Sequence, residues 1–70
     1  MNNLKHYRKL AGLSQAELAK KVGISPRSIP EYEQGRKPLK NAAAITVLNL
    51  SRALHCTVED LIDKELEASE

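Results

Sequence analysis

L-S-Q-A-E-L-A-K-K-V-G-I-S-P-R-S, Leu13 to Ser28, contains two helix starts separated by a single glycine. Ser14 stands three residues before Glu17. Its hydroxyl can take the first free amides of a helix while the carboxylate reaches back to the Ser14 amide. Ser25 repeats the start signal, and Pro26 follows it at the first helical position, where a missing N–H costs nothing and the backbone angle is preset. Between the two starts, Gly23 supplies the positive φ that ends the first of these helices within one residue. The stretch therefore reads as two short helices meeting at a tight corner.

Working outward, Leu4, Tyr7, Leu10 and Ala11 share one helical face behind Asn2 or Asn3 as a cap, so a first helix is predicted to run to about Ala11 and stop at Gly12. In the second helix Leu18, Ala19 and Val22 form the inward stripe, with Lys20 and Lys21 turned to water. A third is predicted from Pro26 to about Glu33, with Ile29 and Tyr32 inward and Gly35 ending it. Pro30 disturbs it, because it removes an N–H and disfavours helical geometry at Ile29. Either the first turn is distorted, or the regular helix starts nearer Pro30 and a turn precedes it. Gly35 to Lys40 reads as a basic loop carrying Arg36, Lys37 and Lys40 around Pro38.

Asn41 is the predicted cap of a fourth helix reaching about Leu54, whose Val47, Leu48, Leu50, Ser51 and Leu54 give more apolar surface than one face needs. His55 stands where a helix end often has glycine. Thr57 with Asp60 signals a fifth helix, with Val58, Leu61, Ile62 and Leu66 on one side. The acidic end from Glu65 onward is expected to fray, leaving a core of about residues 4–62 within one domain of residues 1–70. The fold class is all-α, five short helices with short loops.

A chain of 70 residues removes only about 60% of its unfolded surface from water, so its stability margin is narrow. With no Trp or Phe, aliphatic side chains or a partner subunit must supply the core. No run approaches the roughly 20 apolar residues that cross a bilayer, and the N-terminus has no long apolar segment, so a soluble, cytoplasmic protein with no membrane partner is expected. A single cysteine, Cys56, makes neither an internal disulfide nor a zinc site, and no cofactor is expected. Net charge is only +2, yet residues 1–40 carry nine Lys or Arg against three acids, and residues 41–70 carry two against six. That asymmetry points a polyanion toward the N-terminal half.

Three segments together resemble the DNA-binding domain of the Cro and lambda-repressor family, also called XRE-like helix-turn-helix regulators. They are L-S-Q-A-E-L-A-K-K-V-G-I-S, then S-I-x-x-Y-E-Q-G, then L-S-R-A-L-H-C-T-V-E-D-L-I. The resemblance spans about Leu4 to Ile62, in the family's order, with a segment before the last motif about three residues longer than the commonest form. We expect that insertion to lengthen the start of the fourth helix. The fold implied is a five-helix lambda-repressor-like domain with its helix-turn-helix formed by the second and third helices.

The resemblance also implies roles. The third helix would dock in the major groove, where only side chains near its N-terminal end reach base edges: Pro26, Arg27, Ser28 and Glu31. Arg27 has the forked donors that match guanine, and Glu31 would accept from a cytosine amino group, unless the two simply pair with each other at i, i+4. Gln15, Gln34, Arg36 and Lys37 resemble the family's phosphate contacts, with Lys40 a weaker one. Arg8 and Glu33 match a structural bridge tying the reading helix to the scaffold, and Gly23 is structural at the corner. His6, His55 and Cys56 have no acid partner at defined spacing and a domain this small offers little cleft, so no enzyme is expected.

The function these readings imply is a sequence-specific DNA-binding transcription regulator, a repressor on a two-fold operator. It would act as a homodimer through the surplus apolar surface of the fourth and fifth helices. The rival is a protein-interaction module or antitoxin, whose reading helix, spoiled by Pro30 and Glu31, holds a toxin or another regulator instead.

Overall fold

The computed structural model describes residues 2–68, and the side chains of residues 2–66. Among these run five α-helices and one 3-10 turn: α1 Leu4–Leu10, α2 Gln15–Val22, α3 Ser28–Glu33, the turn Leu39–Asn41, α4 Ala44–Ala53 and α5 Val58–Ala68. No strand occurs among the described residues. Each of the six elements contributes one fully buried large side chain: Leu4, Leu18, Ile29, Leu39, Leu50 and Leu61. At about 1.5–3 kcal/mol for each such burial, this aliphatic cluster dominates the driving force in a domain with no large aromatic ring inside it.

Local signals place most helix ends. At the start of α2, Ser14 Oγ accepts from the Glu17 amide at 3.0 Å and Glu17 Oε1 accepts from the Ser14 amide at 2.8 Å. Thr57 and Asp60 repeat this exchange at α5, at 2.9 and 3.0 Å. Gly23 ends α2 at φ +75°, and an added Cβ there would meet nothing within 4 Å. The cost of a side chain at Gly23 is therefore conformational alone. Gly23→Ala is expected to lose about 1 kcal/mol, read as a fall of several degrees in melting temperature. His55 occupies the same left-handed region at φ +56°, closing α4 where glycine is the usual residue. Asn3 is the N-cap residue of α1 but its side chain makes no capping bond; Asn2 Oδ1 accepts from the Leu4 amide instead, at 3.0 Å.

Two helix starts lie later than the first positions read for them, and that of α3 is the second of the two arrangements Pro30 left open. Helix α3 begins at Ser28 rather than Pro26. Residues 25–28 form a turn, with the Ser28 amide on the Ser25 carbonyl at 3.0 Å and the Arg27 amide on Ser25 Oγ at 3.3 Å. The later start puts Pro30 in the first turn of α3, where amides have no partner inside the helix, and so removes the penalty of its missing N–H. Helix α4 begins at Ala44, not after Asn41, and the extra residues before the last motif do not lengthen it. They form the 3-10 turn followed by extended Ala42, because the loop that reads as wholly basic buries Leu39 at its end.

On α5, Leu66 stands 48% exposed instead of joining the inward side. Glu65, predicted to start a frayed tail, is only 7% exposed, and the helix continues to Ala68. The remainder of that prediction, at Ser69 and Glu70, lies outside the described residues. No helix among the described residues is long and apolar enough to cross a membrane.

Candidate nucleic-acid interface

Arg8 and Glu33 fix the orientation of α3. Arg8 Nε donates to Glu33 Oε2 at 2.6 Å, a second guanidinium nitrogen donates to Oε1 at 3.2 Å, and the third donates to the carbonyl of Leu13 at 2.8 Å. Gln15 Nε2 adds a bond to Glu33 Oε1 at 3.1 Å. Both charged residues are buried, at 9% and 8% exposure, and no buried side-chain nitrogen or oxygen among the described residues lacks a partner. The bond to Glu33 outweighs burial and raises the Arg8 pKa above its ordinary value, so the guanidinium stays charged. One carboxylate at the end of α3 thus holds α1 and the entrance of α2, while Ile29 seats the rear of α3 in the core.

With its rear fixed, α3 presents its other side to solvent. Arg27, Pro30, Glu31, Gln34 and Arg36 line an open concavity of about 370 Å³. The structure therefore brings together two of the sequence-predicted base readers, Arg27 and Glu31, with two of the predicted phosphate contacts, Gln34 and Arg36. Pro26 and Ser28 lie outside it, Pro26 in the exposed turn before α3 and Ser28 half-buried at its first residue. Pro30 is the unforeseen member. Read from sequence it disturbs a helix; in the fold it is the apolar member of a lining that also holds two arginines.

Arg27 and Glu31 do not pair. Glu31 instead meets Lys37 Nζ at 3.3 Å, and among the described residues Arg27 has no ion-pair partner. The Glu31–Lys37 pair is partly exposed, so it is worth about 1 kcal/mol at most and either group can be drawn to a stronger partner. Arg36 and Lys37 are exposed, and both their amides donate to the carbonyl of Glu31, at 3.0 and 3.3 Å, which folds the basic loop back onto the end of α3. Gln15 gives one amide N–H to Glu33 and does not line the concavity; it stands beside the bridge that orients α3.

The residues that invited a catalytic reading are not assembled. His6 and His55 are exposed, and burial pushes the half-buried Cys56 thiol up, away from the thiolate form a nucleophile needs. Among the described residues no group of three or more His, Cys, Asp or Glu is arranged to hold a metal ion.

Ala42, Ala44, Val47, Leu48, Val58 and Ile62 line a second, apolar trough of about 430 Å³, with Lys40 also on its wall. Ile45, next to this lining in α4, is 62% exposed.

A family model described as helix-turn-helix matches residues 4–61, from the first residue of α1 to the buried Leu61 of α5. An uncharacterized helix-turn-helix-type transcriptional regulator of Methanocaldococcus jannaschii is 49% identical over 35 residues. Those residues are 50% of this chain and 53% of the relative, so the chain spans about half the length of the curated relative it matches. The glycine-hinged α2–α3 corner, its rear anchored by Arg8 and Glu33 and its front open, is the arrangement that the sequence resemblance implies, and the chain belongs to the XRE-like helix-turn-helix family of transcription regulators.

Proposed function

We propose that the protein binds double-stranded DNA sequence-specifically with α3 in the major groove, as a repressor acting in the cytoplasm on a two-fold operator. The concavity that unites Arg27, Glu31, Gln34 and Arg36 on the open side of α3 carries this reading. Arg27, free of ion pairs among the described residues, has its guanidinium fork available for the O6 and N7 of a guanine. Glu31, partly neutralised by Lys37, is tolerable near a phosphate chain and can accept from a cytosine amino group. Arg36, Lys37 and Gln34 grip phosphates, and Gln15 beside the Glu33 bridge adds a contact from the α2 entrance. Pro26 and Ser28, before and at the start of α3, complete the base-facing set.

A single short helix reads too few base pairs for genomic specificity. Two copies about 34 Å apart read successive major grooves on one face of the duplex. The apolar trough between α4 and α5 supports such a homodimer, since it offers surface that a second copy would remove from water.

Salt titration separates this reading from a protein-interaction module or antitoxin. Binding through phosphates weakens with a log-log slope of about −0.9 for each phosphate neutralised. Arg27→Ala is expected to relax preference at one base position and cost about 1–3 kcal/mol, whereas Lys37→Ala lowers affinity evenly across sequences and makes the slope shallower by about one unit. Selection of bound duplexes from random DNA checks both, and the half-site spacing it returns tests the dimer. Unchanged affinity in both variants would remove α3 and its loop from the interface and favour the protein-binding alternative.

A further inference from the structure

We propose that Glu65, near the C-terminal end of the fold, is a positioning residue for the phosphate-gripping loop between α3 and α4. The proposal rests on the DNA-binding reading above and extends it to a part of the chain remote from the reading helix. The loop carries Gln34, Arg36 and Lys37, and its two ends are held differently. Its entrance closes on α3 itself, through the Gly35 amide on the Tyr32 carbonyl at 3.2 Å and the Arg36 and Lys37 amides on the Glu31 carbonyl. Its exit makes no bond to α3: the buried Leu39 side chain and the 3-10 turn seat it, and its leading amides are held from α5. Pro38 has no amide, and the Leu39 and Lys40 amides donate to the Glu65 carboxylate, at 2.8 Å to Oε2 and 2.6 Å to Oε1.

Asn2 joins the two ends. Its Nδ2 donates both to Glu65 Oε2 at 3.1 Å and to the carbonyl of Tyr32 at 2.9 Å, the same carbonyl that receives Gly35. The cations are therefore carried on a span whose entrance and exit are tied, through one amide and one carboxylate, to the last turns of α5. The carboxylate is buried and its charge is used by three donors, so a neutral amide does not replace it. A glutamine would turn an N–H toward one of the backbone amides and strand it. Freed at its exit, the loop would no longer present Arg36 and Lys37 at the spacing of a phosphate chain, although neither residue touches Glu65.

The test measures binding of a labelled duplex of random sequence, since the phosphate grip is independent of sequence. It is run well below the melting transition, with the folded fraction of each variant checked. Glu65→Gln is expected to bind at least tenfold more weakly, with a salt slope shallower by about one to two units, as phosphate contacts are lost. Arg36→Ala is expected to add little in that background, the non-additivity of groups acting through one loop. Asp60→Ala weakens α5 at its opposite end, by removing the cap on the Thr57 amide, and should leave affinity and slope unchanged.

Should Glu65→Gln not fold, Asn2→Asp takes its place. It keeps the Oδ1 acceptor for Leu4, loses the Nδ2 donor and sets a second carboxylate against Glu65, and its expected changes have the same direction. Wild-type affinity and slope in folded Glu65→Gln, or in Asn2→Asp where that stands in, overturns the proposal, as does an equal loss in Asp60→Ala. A wild-type protein that shows no salt-dependent DNA binding overturns the regulator reading itself and this proposal with it.

Discussion

Glu33→Ala is expected to cost about 3–5 kcal/mol of folding stability, while Glu31→Ala, two residues away, stays within about 0.5 kcal/mol of the wild type. The contrast comes from environment. Removing the Glu33 carboxylate leaves the Arg8 guanidinium buried at 9% exposure with the Leu13 carbonyl as its remaining acceptor, and it also frees Gln15. Removing the Glu31 carboxylate breaks only a surface pair with Lys37. A domain of this size has a total stability of about 5 kcal/mol, so Glu33→Ala is expected to keep only about 0–2 kcal/mol and to stand near its unfolding transition at room temperature.

Urea titration followed by circular dichroism measures both variants. Equal midpoints would show that the bridge contributes no more than a surface pair. The double variant Arg8→Met with Glu33→Leu is expected to recover most of the loss, because the penalty comes from the stranded charge rather than from the missing attraction.

Glu65→Ala is expected to cost about 3 kcal/mol, from the loss of a charged acceptor serving the Leu39, Lys40 and Asn2 donors. Burial pushes the Glu65 carboxyl up, but the hydrogen bonds from Asn2 and from the Leu39 and Lys40 amides outweigh it and hold it below its ordinary value. The unfolded chain therefore binds this proton more tightly than the folded one, and stability rises with pH across the window between the two values. The contribution is fully present above the ordinary carboxylate range of about 4 and is lost as pH falls through the lower, folded value. Melting temperatures of the wild type and Glu65→Gln should thus differ most at neutral pH and converge in acid. Parallel curves down to acid pH would mean that the charge of Glu65 does not stabilise the fold. Glu17, also held low by Ser14, is common to both proteins and cancels in the comparison.

The corner that defines the family was legible because its causes are local. Ser14 with Glu17, Thr57 with Asp60, and Gly23 each act within four residues, so the pattern on paper and the bonds in the fold are the same statement. The aliphatic stripes were legible through period, and they place Leu4, Leu18, Ile29, Leu50 and Leu61 in the core, although Leu10 of the first stripe is 70% exposed and Ala11 is exposed with it, at the end of α1. The candidate site was half legible: the cations and Gln34 could be named, but not which of them share a surface.

What escaped the reading depends on partners far away along the chain. Leu39 lies between a proline and a lysine with no periodic neighbours, and its burial is decided by the space left among the other elements. Glu65 looks like one more acid in an acidic tail, yet it serves amides 25 and 26 residues before it. For Pro30 the sequence left two arrangements open, and the later start of α3 selects the one in which its missing amide is harmless.

Caps, hinge glycine and apolar period settle which helices exist and how two of them meet, since each works through neighbours fixed by covalent spacing. Where α4 begins, which side of α3 faces out and what holds the basic loop were set by packing. A buried carboxylate must find its donors, and a leucine its cavity, among residues that come close only when the chain has folded.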